Sequence, residues 1–170
     1  MSLSIYLEQD KPIEMITTGI YVRENGVNRE LTLAEAKERF PNATDIEERV
    51  EKTYTLYSDN ITHNLNTMAE ACGLYNPLWR PFKLLENYSS KKESEDEDYE
   101  YDFEISNSIY AKQLVEHLEK GLLNLIENEV KLKELNPTNG WGTYEGLVKF
   151  TKNYLNACKQ YPESKVITCR

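Results

Sequence analysis

Paired cysteines are what this sequence most plainly lacks. Cys72, Cys158 and Cys169 are widely separated and odd in number, which does not suit the disulfide framework of a secreted domain. The setting expected from them is a reducing cytoplasm. Long apolar runs are missing too, and no stretch approaches the ~18 residues that a membrane-spanning helix needs. Residues 1–7 have no basic region leading into an apolar one, so neither export nor a membrane partner is expected. Basic clusters interleaved with aromatics are absent, which argues against a nucleic-acid polymer as partner. The sequence contains no Gly-x-Ser-x-Gly elbow, no His-Glu-x-x-His and no Cys-x-x-Cys. Only His63 and His117 offer a side chain that titrates near neutrality, so no metal or cofactor is expected and catalysis has little support.

Acid is plentiful but unevenly placed. Of the 29 Asp and Glu residues, eight fall between Glu93 and Glu104 with no base among them, and removing those eight leaves 21 against 20 Lys and Arg. The net charge of −9 therefore belongs mainly to one segment, read as a mobile acidic insertion over residues 89–104. With 170 residues, 39% hydrophobic and 11% aromatic, the chain can bury a core as a single domain over residues 1–170.

The pattern along the chain predicts an α+β fold. A small, mostly antiparallel sheet would be built from N-terminal strands, a strand near residues 50–57 and a C-terminal strand, packed on about three main helices. Alternation of Leu3, Ile5 and Leu7 marks the first strand, taken as residues 3–8. Asn25-Gly26 suits a tight hairpin over residues 20–31, and Thr32 with Glu35 forms a capping box for a short helix ending near Phe40-Pro41. Residues 20–49 read as a hairpin and short-helix insertion. Ser58, Asp59 and Asn60 offer caps for a helix over residues 61–72 that Gly73 would close, with Ile61, Leu65, Met68, Ala69 and Cys72 along its apolar face. A long helix follows over residues 109–135, which Gly121 is placed to bend. Thr143 then caps a helix running to about Cys158, and residues 165–169 close the sheet.

Two segments carry the candidate chemistry. In the first, residues 60–81, the helix presents His63, Asn66, Thr67 and Glu70 opposite its apolar stripe, and a loop rich in proline follows with Trp79 and Arg80. Trp79 either stacks on a ligand or roofs the core, and Arg80 either holds phosphate or carboxylate or pairs with a local acid. The second segment, residues 136–147, leads flexible glycines into a helix N-terminus, where unpaired amides favour an anion. Its alternative is a tight interhelical turn capped by Thr143 and roofed by Trp141. The ligand-binding set expected from both is Asn60, His63, Asn64, Trp79, Arg80, Asn139, Trp141, Thr143, Tyr144 and Glu145.

The runs Asn60-Ile61-Thr62-His63-Asn64-Leu65, Leu78-Trp79-Arg80-Pro81 and Asn139-Gly140-Trp141-Gly142-Thr143-Tyr144-Glu145-Gly146-Leu147-Val148 resemble a family of small uncharacterised proteins frequent in bacteriophage genomes. The resemblance spans residues 54–81 and 110–170. It implies a phage or prophage setting in the host cytoplasm, where accessory proteins modulate the host or counter its defences. It carries over no catalytic or binding residue. Joined to the residues above, it predicts a non-catalytic protein that binds a small anionic, nucleotide-like ligand. Two further readings stand beside it: an inhibitor or adaptor that contacts a host protein through residues 89–104 with Tyr99 and Tyr101, and a small hydrolase using His63 with Glu70 or Glu145. A homo-oligomer fits any of the three.

Overall fold

Alternation at the N-terminus builds the first and longest strand. The computed structural model describes residues 2–24, 27–88 and 107–170, and in it β1 runs from Ser2–Thr17 with Leu3, Ile5 and Leu7 all facing the core. The chain continues through β2 (Tyr21–Glu24), β3 (Val27–Glu30), α1 (Leu33–Arg39) and β4 (Arg49–Thr62). A 3₁₀ turn (His63–Leu65) leads into α2 (Asn66–Ala71), and α3 (Tyr75–Trp79) is followed by a second 3₁₀ turn (Pro81–Leu84). After residue 106 come α4 (Ala111–Glu127), α5 (Glu129–Lys133), α6 (Tyr144–Gln160) and β5 (Lys165–Cys169). This is an α+β chain, with one three-stranded antiparallel sheet in the order β4-β1-β5 and one two-stranded sheet, β2-β3.

Contacts divide the chain into two compact units, Asp10–Tyr54 and the combination of Met1–Gln9 with Thr55–Arg170. In the larger unit, β1 pairs antiparallel with β5 from Ser4↔Cys169 to Glu8↔Lys165, which sets Val166 opposite Leu7 on the buried face. The start of α4 is fixed to β5, because Val166 N–H donates to Ile109 O and Ala111 N–H donates to Ser164 O. Helices α4 and α6 pack along each other, and the core they share with β1 holds Leu114, Leu118, Leu125, Leu147, Phe150 and Tyr154. Burying each of these leucine and phenylalanine side chains contributes about 1.5–3 kcal/mol.

α4 runs unbroken through Gly121, where the missing side chain serves close approach. A Cβ there would lie 2.3 Å from Leu74 Cδ2, so the missing side chain lets α4 settle onto the segment between α2 and α3. Asn124 Nδ2 reinforces that contact by donating to Cys72 O at 3.3 Å. The long helix breaks at Asn128 instead, which ends α4 and precedes α5.

The smaller unit contains the hairpin β2-β3, in register from Tyr21↔Glu30 to Glu24↔Val27; its turn residues Asn25 and Gly26 lie outside the described residues. Thr32 and Glu35 form the expected capping box at the start of α1, with Thr32 N–H donating to Glu35 Oε2 at 2.8 Å. Glu30 gathers the Thr17 hydroxyl and the Thr18 and Gly19 amides around its carboxylate, and these bonds, the Thr17 hydroxyl first, hold it below the usual carboxylate range. The acidic stretch read at residues 89–104, with Tyr99 and Tyr101, lies outside the described residues.

Candidate functional site

The helix expected over residues 61–72 begins later than its local caps suggest. Strand pairing carries β4 through Ser58, Asp59 and Asn60 to Thr62, and the Thr62 hydroxyl then accepts from Asn64 N–H at 3.3 Å to start the 3₁₀ turn. Asn60 and Asn64 are thus set on either side of this strand-to-helix corner, both exposed. The anticipated apolar stripe is buried as a whole: Ile61, Leu65, Met68, Ala69 and Cys72.

The second segment folds as a turn closed by its own side chains. Asn139 Oδ1 accepts from Trp141 N–H at 3.0 Å, Gly140 takes φ +72° and Gly142 takes φ +98°. Thr143 caps α6 as expected, its hydroxyl accepting from Gly146 N–H at 3.1 Å. Gly142 presses against Thr62 and Leu65, so the two segments meet directly.

Two cavities open along that junction. One, of about 570 Å³, is lined by Ser2, Asn60, Thr62, Asn64, Asn139 and Trp141. The other, of about 300 Å³, is lined by Asp59, Asn60, Thr62, Thr143, Lys149 and Asn153, over Leu65 and Phe150. Asn60 and Thr62 belong to both. The larger compartment has no charged lining side chain among the described residues, and presents three amide side chains and an indole that is 71% exposed. The smaller one carries a carboxylate and an ammonium. Asp59 accepts from Asn60 N–H at 2.8 Å and from the Tyr57 hydroxyl at 3.1 Å, which orients it. Burial and the neighbouring Asp59 push the Tyr57 phenol up, so it stays a donor.

The residues anticipated from the sequence divide into two groups. Asn60, Asn64, Asn139, Trp141 and Thr143 come together at the cleft. The other five lie elsewhere. Trp79 is 1% exposed, stacked on Tyr75 with ring centroids 5.9 Å apart, so it is a core side chain. Its segment is not a loop but two short helical turns, α3 and the 3₁₀ turn at Pro81–Leu84. The His63 and Trp79 rings meet at 65° with centroids 6.2 Å apart, and His63 Nε2 is enclosed, with no hydrogen-bonding partner among the described residues. Arg80 is half-buried at the end of α3 and lines neither cavity. Tyr144 is 5% exposed and donates its hydroxyl to Leu125 O at 2.9 Å. Glu145 pairs with Lys133 at 2.9 Å, and that bond holds its carboxyl below the usual range.

The first-turn amides of α6, expected to be open to an anion, are largely taken from within. Tyr144 N–H donates to Asn136 Oδ1 at 2.7 Å, Gly146 N–H donates to Thr143, and the Glu145 carboxyl meets its own amide. Positive charge reaches the cleft from Lys149 instead. Sequence reasoning missed Lys149, Asn153, Thr62 and Asp59. A signal for two of them was present: Gly146, Lys149 and Asn153 recur at helical spacing after the Thr143 cap, so they share the face that carries the site.

The fold and cleft together define an α+β protein with a two-compartment surface site, one part amide and indole, the other charged. No family model, curated protein or solved structure matches the chain. No helix among the described residues is long and apolar enough to cross a membrane, and none of their His, Cys, Asp or Glu residues gather in threes as a metal site.

Proposed function

We propose that this chain is a binding protein that takes a small, ring-bearing anion of nucleotide-like chemistry at the junction of residues 60–64 and 139–143. The observation that carries the reading is the convergence of Asn60, Asn64 and Asn139 with an exposed Trp141 around one cavity. Carboxamides both donate and accept, which suits the mixed edges of a heterocycle, and an indole face offers stacking worth about 1–3 kcal/mol per base. A volume of about 570 Å³ is in the range of small-molecule sites. The resemblance to phage-borne proteins supports placing this capture in a host cell, as an accessory function directed at its signals or defences.

Isothermal titration of the intact chain against nucleosides and their monophosphates tests the reading. Binding by at least one purine or pyrimidine ligand is expected, weakened at least tenfold by Trp141→Ala. Silence from every probe, or binding that Trp141→Ala and Asn139→Ala leave untouched, overturns it.

A further inference from the structure

The two compartments differ in chemistry, and they adjoin. The neutral one has no ionisable lining side chain among the described residues, whereas the charged one has Asp59 on the strand side and Lys149 on the helix side, with Asn60 and Thr62 as the wall between. Among the described residues Lys149 makes no ion pair, a state it shares with Lys131 and Lys152, whereas Lys112, Lys120, Lys133 and Lys159 are all paired; of the three unpaired lysines, Lys149 is the one that lines the charged compartment. Asp59 is held by two donors but keeps acceptor capacity, since an ionised carboxylate offers about four lone-pair sites.

Resting on the binding function proposed above, we infer that the ligand is a ribonucleoside monophosphate bound across both compartments. Its base lies against Trp141 among the amides, its ribose hydroxyls donate to Asp59 and its phosphate meets Lys149. The charge arrangement sets the specificity. Inorganic phosphate would gain Lys149, but it brings only its own P–OH to Asp59, sets its charge against that carboxylate and has no ring to lay on Trp141. A sugar phosphate supplies donors for the carboxylate and an anion for the ammonium in one molecule. Charge-assisted bonds of this kind are about twice as strong as neutral ones, so the phosphate should dominate the affinity difference between nucleotide and nucleoside.

Titrating the intact chain with adenosine, guanosine, cytidine and uridine, their monophosphates, the 2′-deoxy monophosphates and inorganic phosphate decides the matter. The best monophosphate should bind about tenfold or more tightly than its nucleoside, the deoxy form should be weaker than the ribo form, and inorganic phosphate should not register. Lys149→Gln should collapse the nucleotide-to-nucleoside ratio towards one, and Asp59→Asn the ribo-to-deoxy ratio. Lys149 is exposed, so its variant should melt as the parent does. Nucleosides binding as well as their monophosphates, or Lys149→Gln weakening both by the same factor, would overturn this inference and leave standing only the capture of the ring at Trp141. Failure of nucleosides and nucleotides alike overturns both.

Discussion

Gly142 lies so close to Thr62 that a Cβ built on it would stand 2.6 Å from Thr62 Cγ2 and 2.9 Å from Leu65 Cγ. That approach closes the junction between β4 and the turn before α6. Gly142→Ala would meet both the steric clash and the strain of φ +98°, so a loss of about 2–4 kcal/mol is expected in urea unfolding. Gly140 supplies the control. It has φ +72°, and a methyl added there would have nothing within 4 Å, so Gly140→Ala should cost only about 1–2 kcal/mol. Equal losses at the two sites would mean that the approach to Thr62 is not what Gly142 provides.

A second close approach can be tested by rescue. Gly121→Ala gains about 1 kcal/mol of helix propensity, yet its methyl would fall 2.3 Å from Leu74 Cδ2 in a fully buried contact. Overpacking of this kind costs about 1–3 kcal/mol, so net destabilisation is expected. Leu74→Ala alone should cost about 2–5 kcal/mol through the cavity it leaves. In the double variant the new methyl enters the space that Leu74 vacates, and the losses should sum to less than the two single values. Additive losses in a double-mutant cycle would show that the two side chains do not share that space.

The features legible in the sequence are those written in local chemistry. Thr32 with Glu35, Thr143 ahead of α6, the alternation of Leu3, Ile5 and Leu7, and the stripe from Ile61 to Cys72 each depend on neighbours a few residues away. Misreadings arise where a distant partner outweighs them. Ser58, Asp59 and Asn60 are good caps in isolation, but sheet hydrogen bonds hold them in β4 and pass the capping role to Thr62. Gln9, Asp10 and Lys11 show no alternation, yet β1 runs on through them to Thr17. Prolines suggest a loop before Pro81, although proline is accommodated in the first turn of a helix and both short turns after Gly73 use that allowance. The meeting of residues 60–64 with 139–143 is open in the sequence, and the structure brings them together; the addition of Lys149 and Asp59 depends on tertiary packing alone.

Thiol reactivity should separate the three cysteines. Burial pushes the Cys72 thiol up to about 11 and the Cys158 thiol up to about 12, while Cys169 is exposed on β5. The thiolate is the reactive form, so at pH 8 a disulfide reagent should titrate one thiol rapidly, and Cys169→Ser should abolish that phase. All three should react in denaturant. Fast labelling of Cys72 or Cys158 in the native protein would contradict the packing around α2 and α6.

Acid should act on the smaller unit through Glu35. Arg29 Nη1 lies 3.0 Å from both Glu35 oxygens, and the Thr32 amide and hydroxyl donate to Oε2, which together pull the carboxyl from 4.5 to about 2. The Arg29 bond is the largest cause, followed by the Thr32 amide. A folded-state value below the unfolded one means that this group stabilises the fold fully above pH 4.5 and loses that contribution as pH falls towards about 2. Carbon-detected titration of the side-chain carboxyl should therefore place its midpoint well below that of an exposed glutamate. Arg29→Gln should raise that midpoint more than Thr32→Ala, and either variant should flatten the pH dependence of melting in the same window. A midpoint near 4.5 in the parent protein would mean that the capping box and its arginine do not persist in solution.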